Sequence, residues 1–258
     1  MAIWIYKHQD KNPFESIVRS KECIFCMTEM QNIYSATQQW NDFSKSVLVC
    51  PVCGWWTTWE QSSNLLRVDD RKAFNLYGAS AILKQMDLMN LEQPIDEVKQ
   101  FLAAKYKDRY LIHPRLFEEV VADVFGNIGY KSTVTAYHND GGIDVILQDG
   151  KKSEIGVQVK RYKNSIQVSQ IREFAGALVE NGMTKGIFVT TSKFQRGAFN
   201  SVENFYKTGL RIELIDSKRF YDALKLSLRD KYRDYENFIE LIGDIELPTI
   251  YENYTDYR

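Results

Sequence analysis

The four cysteines of the chain constrain its fold more than any other feature, because they form two Cys-x-x-Cys pairs. Cys23 and Cys26 make the first pair, and Cys50 and Cys53 make the second. Each pair can form a tight turn that aims two thiolates at one point, and together they complete the tetrahedral sulfur shell that zinc prefers. The 23 residues between the pairs suit two strands and a loop. We therefore predict a structural zinc ribbon within residues 1–62.

Two disulfides or a redox-active pair are the competing interpretations of these cysteines. Disulfides are typical of secreted proteins. The stretch from Met1 to Lys7 lacks the long apolar core of a signal peptide, so we expect a cytoplasmic protein. A redox site would need only one pair, beside a strand–helix unit. Because a shell of four thiolates leaves no open coordination position, we expect this zinc to be structural and not catalytic.

Several tryptophans surround the cysteines, and their role has two interpretations. They cover the small metal domain, or they form a stacking surface for nucleic acid or a partner protein. The sequence alone does not separate these interpretations. The residues are Trp40, Trp55, Trp56 and Trp59.

The stretch from Gly141 to Lys160 predicts a β-hairpin with polar groups at one end. Asp144 precedes an apolar strand, and a second strand ends in Gln158-Val159-Lys160. Because side chains alternate along a strand, Gln158 and Lys160 point to the same face. This arrangement can place a metal-binding acid, a second ligand and a cation around one phosphate.

The hairpin lies inside a longer region, 111–226, whose pattern predicts alternating helices and strands. A helix from His113 to about Ile128 has a buried apolar stripe, and Glu118 lies at the edge of that stripe. The order αβββαβαβα predicts a mixed sheet flanked by helices, an α/β fold. We predict strands over 133–137, 143–147, 155–160, 186–191 and 210–215, and further helices over 168–180, 194–206 and 217–226.

These residues, in this order, resemble the Mrr-type restriction endonuclease domain, a branch of the PD-(D/E)XK nuclease superfamily. Mrr-like proteins with a zinc ribbon ahead of the nuclease domain also exist, so the first half of the chain agrees. Gln158 stands where most of the superfamily has Asp or Glu, a departure shared with the branch. The resemblance is carried by Phe117-Glu118, Gly141-Gly142-Ile143-Asp144, Gln158-Val159-Lys160, Gly186–Ser192 and Leu210–Ile215.

The resemblance implies a restriction-endonuclease-like fold and a metal-dependent DNA endonuclease that acts in restriction or anti-phage defence. Mg²⁺ or Mn²⁺ would be held by Asp144, the Gln158 amide oxygen and the Val159 carbonyl. Glu118 would hold a water on the ion or make an outer contact. Lys160 would orient or deprotonate the attacking water, or stabilise the charge that develops on the phosphate. His138 and Asp140 lie nearby in the sequence and are alternative candidates for the site.

A basic run that begins at Lys160 is the predicted surface for the DNA backbone, since Lys, Arg and polar side chains contact phosphates. The net charge of −1 for the whole chain does not itself indicate a nucleic-acid partner. The predicted contacts are Lys160, Arg161, Lys163, Gln167, Gln170, Arg172, Lys193 and Arg196.

The remaining parts of the chain carry no predicted chemistry. Residues 63–110 are expected to be a helical connector, with a helix that starts at Pro94, and residues 227–258 an acidic, tyrosine-rich tail. Two other functions stay open: a DNA- or partner-binding module with a silent nuclease fold, and a nuclease switched on by a partner or ligand through the N-terminal half. Cleavage of both DNA strands would need two active sites and hence a homodimer.

Overall fold

The protein is described by a computed structural model. It covers residues 3–6, 20–38, 43–65, 71–136, 141–150, 153–229, 239–240, 245, 247 and 249–256. The chain divides into two compact units. The first unit combines Met1–Gln85 with Arg229–Arg258, and the second is the continuous stretch Met86–Leu228. The two ends of the chain therefore belong to one unit.

The first unit contains a six-stranded antiparallel sheet. The longest strand, β5, pairs with β4 along one edge. Its other edge is shared by two strands, because β11 pairs with residues 71–77 of β5 and β1 pairs with residues 81–83. The strands are β1 (Trp4–Tyr6), β2 (Gln31–Gln38), β3 (Phe43–Val49), β4 (Trp56–Leu65), β5 (Arg71–Leu83) and β11 (Thr249–Asp256).

Two of these strands differ from what the sequence pattern suggests. Residues 63–110 are predicted to be a helical connector and Gly78 interrupts any regular pattern over 73–83, yet β5 occupies Arg71–Leu83 and continues through Gly78, because strands pair along both of its edges. Gly78 stands opposite Trp59 in the β4–β5 register, where a large aromatic residue accompanies the missing side chain. The C-terminal tail contributes β11. The spacing of Tyr232, Tyr235, Phe238, Ile239 and Ile242 also predicts a helix in this tail, and most of these residues lie outside the described part of the chain.

The second unit contains a five-stranded mixed sheet in the order β10-β9-β8-β7-β6. Strands β8, β9 and β10 run parallel, whereas β6, β7 and β8 are antiparallel neighbours. The predicted α/β fold class, a mixed sheet flanked by helices, is confirmed. The strands are β6 (Lys131–Val134), β7 (Val145–Gln148), β8 (Glu154–Lys160), β9 (Lys185–Thr190) and β10 (Arg211–Ile215).

Five α-helices and one 3₁₀ helix accompany this sheet. On one face, Phe188 of β9 packs against Phe174, with ring centroids 5.6 Å apart. On the other face the ring of Phe117 meets that of Phe220 at 5.3 Å. The helices are α1 (Ile95–Ala104), the 3₁₀ helix (Tyr106–Tyr110), α2 (Pro114–Asn127), α3 (Val168–Glu180), α4 (Arg196–Lys207) and α5 (Ser217–Leu228).

Helix bounds follow the sequence pattern closely because each helix buries one apolar stripe. Helix α3 has the bounds that its pattern predicts, and α2 starts and ends within one residue of them. Strand β6 lies two residues earlier than expected at its start. In the described part of the chain, no helix is long and apolar enough to cross a membrane.

Candidate active site

Asp144 and Gln158 come together at the open end of the β7–β8 hairpin. The last paired residues of the ladder are Val145 and Val157, and the two polar residues flank this pair, because Asp144 precedes Val145 and Gln158 follows Val157. The Asp144 N–H donates to the Val157 carbonyl at 2.8 Å. The Val159 N–H donates to Oδ2 of Asp144 at 2.6 Å. Both side chains are buried, with 7% and 8% of their surface exposed. The carboxylate is thus fixed to the backbone of the neighbouring strand.

Two glycines place Asp144 in this position. Gly141 and Gly142 have φ values of +57° and +83°, which side chains other than glycine rarely adopt. A Cβ on Gly142 would lie 3.2 Å from the Cβ of Ala177 and 3.7 Å from Nε2 of Gln158. The chain therefore passes closely between α3 and Gln158 before it enters β7.

Val159 and Lys160 complete the group at the end of β8. In an antiparallel pair the N–H and C=O of a residue project to the same side, so the Val159 carbonyl faces the strand that carries Asp144. Lys160 lies two residues after Gln158, on the same face, and is half-buried. The structure thus brings Asp144, Gln158, Val159 and Lys160 together where β7 begins and β8 ends. A carboxylate, an amide and a carbonyl offer the oxygen ligands that Mg²⁺ prefers, so this donor set fits that ion.

Glu118 reaches this region through two residues that the sequence analysis missed. Its side chain is 18% exposed and pairs with Nη1 of Arg115 at 3.1 Å. The same nitrogen donates to the Thr135 carbonyl at 2.8 Å. The Thr135 hydroxyl in turn donates to the carbonyl of Ile143 at 2.7 Å, and lies 2.9 Å from that of Asp144. Glu118 is therefore connected to the backbone at Asp144.

Arg115 had a signal in the sequence that could have revealed it. It precedes Glu118 by three residues, and residues at this spacing are neighbours on a helix surface. Thr135 had no such signal, because its role depends on contacts between segments that are distant in sequence. The alternates His138 and Asp140 lie outside the described residues.

The four cysteines converge in the first unit as predicted. Their sulfur atoms all lie within 4.8 Å of one another, and no other set of three or more His, Cys, Asp or Glu ligand atoms is so placed among the described residues. The Sγ atoms of Cys26 and Cys50 are 3.3 Å apart, and those of Cys23 and Cys53 are 3.6 Å apart. A tetrahedral zinc with four thiolates would separate its sulfurs by about 3.8 Å. The cluster therefore fits zinc.

Each cysteine pair sits in a turn that needs a left-handed residue. Met27 has a φ of +56° after the first pair, and Gly54 has a φ of +75° after the second. All four cysteines are buried. Hydrogen bonds from the other three thiols hold the pKa of the Cys26 thiol well below its usual range, with that from Cys23 contributing most. Burial raises the pKa of the Cys53 thiol. The thiolate form is thus favoured at Cys26 and the thiol form at Cys53 when no metal is bound.

Aromatic residues cover this cluster. Trp55 is fully buried and its Nε1 donates to the Ala81 carbonyl at 2.8 Å. Phe25 packs between Trp4 and Trp55, at centroid distances of 4.9 and 5.5 Å. Trp56 is also buried, whereas Trp59 is half-buried. Burial favours the covering role for Trp55 and Trp56, while Trp40 lies outside the described residues.

Most of the second unit matches a known protein family. Residues 110–224 match the model of the restriction endonuclease family of the Mrr type. This part of the chain is a Mrr-type restriction endonuclease domain. The resemblance to the Mrr-type restriction endonuclease domain is therefore confirmed. The hairpin with Asp144 and Gln158 lies within the matched residues.

Relatives of the Mrr-type domain occur in longer proteins. The uncharacterized protein y4cE of Sinorhizobium fredii is 33% identical over 102 residues, which are 38% of this chain and 26% of that protein. The type IV methyl-directed restriction enzyme EcoKMrr of Escherichia coli K12 is 28% identical over 137 residues, 50% of this chain and 44% of that enzyme. The matches thus span less than half of each relative.

A solved structure with a related arrangement is the MspJI restriction endonuclease in complex with a 27-mer oligonucleotide. It superposes with a TM-score of 0.37 and 18% sequence identity, over 62% of this chain and 38% of that chain.

The predicted DNA contacts of the Mrr-type domain fall into two groups. Lys163, Lys193 and Arg196 are exposed. Lys163 and Lys193 lie in loops that run side by side, because the Ile166 N–H donates to the Lys193 carbonyl at 2.8 Å, and Arg196 begins α4 directly after the second loop. This pairing places the exposed cations of both loops beyond the same end of β8 and β9.

The other predicted contacts make bonds inside the domain or lie elsewhere. Arg161 donates through Nη1 to the Tyr110 carbonyl at 2.7 Å. Gln170 accepts the N–H of Gln167 at 2.9 Å and so caps α3. Arg172 is exposed and lines an apolar groove of about 890 Å³ beside Val179. The basic surface next to Lys160 therefore consists mainly of the two paired loops.

Proposed function

We propose that this protein is a divalent-metal-dependent DNA endonuclease that hydrolyses phosphodiester bonds in restriction or anti-phage defence. The observation that carries the proposal is the position of Asp144. Its buried carboxylate accepts the N–H of Val159, the residue between Gln158 and Lys160 at the end of β8. The Mrr-type family match of residues 110–224 supports the same reaction class.

The residues of this site have different roles in phosphodiester hydrolysis. When bound by Asp144, Gln158 and the Val159 carbonyl, Mg²⁺ or Mn²⁺ would polarise the phosphate and lower the pKa of an attacking water. The backbone bond from Val159 orients the Asp144 carboxylate. Lys160 orients or deprotonates the attacking water, or stabilises the negative charge that develops on the phosphate oxygens.

Glu118 acts at the rim of the same site. Arg115 holds its carboxylate, and the contact of Arg115 with Thr135 fixes this pair against the segment that leads into Asp144. We propose that Glu118 contributes an outer contact to the bound ion or to its water. The exposed cations Lys163, Lys193 and Arg196 then receive the DNA backbone, because lysine and arginine contact phosphates without reading sequence.

We also propose that the four cysteines of the first unit hold a structural Zn²⁺. Four buried sulfurs at nearly tetrahedral separations support this assignment. A shell of four thiolates leaves no open ligand position, so the ion would stabilise the fold of the first unit and take no part in hydrolysis.

The test is cleavage of plasmid DNA with Mg²⁺ or Mn²⁺ by the full chain and by Asp144→Ala and Lys160→Ala. Each substitution should lower the cleavage rate by about a hundredfold or more, since each removes a group that acts on the transition state. Matched controls are Asp222→Ala and Lys207→Ala, which alter an exposed acid and an exposed lysine on the helices of the same unit.

Equal cleavage by the parent and by both site variants would show that the site lies elsewhere. Binding without cleavage under every metal would instead support a silent nuclease fold. Because one relative is named a methyl-directed restriction enzyme, the assay should compare methylated with unmethylated plasmid. Cleavage confined to methylated DNA would extend that property to this protein.

A further inference from the structure

Three consecutive hydroxyl residues at the end of β9 have no part in the reaction described above. Thr190 and Thr191 are completely buried, and Ser192 is 5% exposed. Buried polar side chains need hydrogen-bond partners, and all three residues find theirs in one short segment. We call Thr190, Thr191 and Ser192 the hydroxyl clamp, and residues 160–163 the basic segment.

The hydroxyl clamp donates to three carbonyls of the basic segment. The Thr190 hydroxyl donates to the Lys160 carbonyl at 2.9 Å. The Thr191 hydroxyl donates to the Tyr162 carbonyl at 2.8 Å, and the Ser192 hydroxyl to the Lys163 carbonyl at 3.0 Å. Side chains thus replace the backbone ladder where β8 has ended and the basic segment leaves the sheet.

The carbonyl of Lys160 is the most firmly held group of this segment. Besides the Thr190 hydroxyl, it accepts the N–H of Thr191 at 3.2 Å and that of Tyr162 at 3.1 Å. Three donors on one oxygen fix the backbone at the residue that carries the proposed catalytic lysine. A long lysine side chain can be placed reproducibly only if its backbone is fixed, because the side chain itself has many rotamers.

The clamp is itself braced by the 3₁₀ helix. Nε of Arg109 donates to the Thr191 carbonyl at 2.9 Å, and the guanidinium lies 4.1 Å from the centre of the Tyr110 ring. Arg161 donates to the Tyr110 carbonyl at 2.7 Å. Both strand ends are therefore tied to the same short helix.

The arrangement also separates charges of opposite sign. Three of the four carbonyl oxygens of the basic segment, those of Lys160, Tyr162 and Lys163, point to buried hydroxyls, so their partial negative charge is directed into the protein. The side chain of Lys163 is exposed and that of Lys160 is half-buried. An approaching phosphate would then meet ammonium groups and not carbonyl oxygens.

We infer that Thr190, Thr191 and Ser192 are positioning residues that hold Lys160 and Lys163 in place for a DNA phosphate. This inference rests on the proposed nuclease function. The hydroxyls act through the backbone of the basic segment and touch neither the metal ligands nor the substrate.

The first experiment measures the single-turnover cleavage rate of Thr191→Val, which removes the hydroxyl at nearly constant volume. The rate should fall at least about tenfold, because a small displacement of a catalytic group has a large effect on rate. The apparent half-saturation concentration of Mg²⁺ should stay unchanged, since the metal ligands are not moved. Thr191→Ser keeps a hydroxyl and should restore a rate close to that of the parent.

Ser227→Ala is the matched control, since Ser227 is also buried and its hydroxyl donates to the Leu224 carbonyl at 2.8 Å within α5. It should cleave as the parent does. If Thr191→Val cleaves as fast as Ser227→Ala, the clamp serves the fold alone and the inference is overturned.

The second experiment measures the affinity for a short DNA duplex without divalent metal, using Ser192→Ala, Lys163→Ala and the double variant. If Ser192 acts through Lys163, each single change weakens binding and the double variant binds no more weakly than Lys163→Ala. Additive losses would overturn this part of the inference. Circular dichroism identifies any variant that does not fold; if Thr191→Val is one of these, Ser192→Ala and Lys163→Ala carry the test.

These experiments distinguish the clamp from the nuclease function. If the parent binds DNA but does not cleave it with any metal, the proposed function fails. The DNA affinities of Ser192→Ala, Lys163→Ala and the double variant then still test the role of the hydroxyl clamp. If the parent neither binds nor cleaves DNA, both proposals are overturned.

Discussion

Gln158 gives the candidate site its particular charge. It follows Val157, the residue that pairs with Val145 next to Asp144, and a carboxylate here would add a second negative charge to the proposed ion. An amide offers an oxygen without that charge, so the proposed ligand set would bind a divalent ion less strongly than two carboxylates would. The amide also needs no partner of opposite charge, which matters because only 8% of its surface is exposed.

Replacement of Gln158 by Glu should therefore preserve cleavage and change its metal dependence. The added carboxylate strengthens the attraction for the ion, so the Mg²⁺ concentration at half-maximal rate should fall by about tenfold. The measurement is the cleavage rate as a function of metal concentration. Gln158→Leu is the comparison, since it keeps the volume but removes the oxygen and should abolish cleavage. If Gln158→Leu cleaves at the parent's rate and with the parent's metal dependence, Gln158 is not a ligand.

At this scale the sequence predicts residues that share a strand and misses residues that join segments. Asp144, Gln158 and Lys160 follow from the two-residue period of a hairpin. Thr135 and its contact with Arg115 do not, because these bonds connect α2 to the chain before β7 only in the folded unit. The close approach of Gly142 to Ala177 is equally invisible before the fold is known.

Among the elements, β5 shows how strongly pairing can override a local pattern. Its sequence is interrupted by Gly78, yet it is the longest strand because β4 pairs along most of it and two further strands share its other edge. Helices such as α3 are predictable because their period is local. The pairing of β11 with β5 joins residues that are far apart in sequence, and no local signal specifies it.

Truncation of the chain after residue 248 should destabilise the first unit selectively. It removes β11, so residues 71–77 of β5 lose their hydrogen-bonding partner on one edge and keep β4 on the other. We expect the free energy of unfolding of this unit to fall by about 3 kcal/mol or more, and the open edge to promote aggregation. Hydrogen exchange measured separately for the two units would show the loss.

A truncation after Asp256 is the control for this experiment, since it keeps the whole of β11. It should leave exchange in β5 unchanged. Equal protection of β5 in both truncated chains would contradict a structural role for β11.

The molecule as a whole consists of two units whose stabilities have different origins. The second unit buries large apolar side chains on both faces of its sheet, whereas the first brings four cysteines together. A structural zinc contributes about 10–16 kcal/mol to such a fold, which equals or exceeds the total stability of a typical domain. The fold of the first unit should therefore depend on the metal.

Removal of zinc with a chelator should unfold the first unit and leave the second folded. The expected result is loss of the lower of two thermal transitions, with the other transition unchanged. Cys50→Ser, which removes one ligand, should behave like the chelated parent and contain less zinc by elemental analysis. A single transition that does not respond to either treatment would contradict the assignment of structural zinc.

The division of the chain has a consequence for its synthesis on the ribosome. The second unit is continuous from Met86 to Leu228, whereas the first draws strands from both sides of it. The nuclease domain is therefore fully synthesised before β11, the strand that completes the edge of β5, has been translated. Chains that stop early would contain a complete second unit and an incomplete first unit, in which residues 71–77 of β5 lack the partner strand β11.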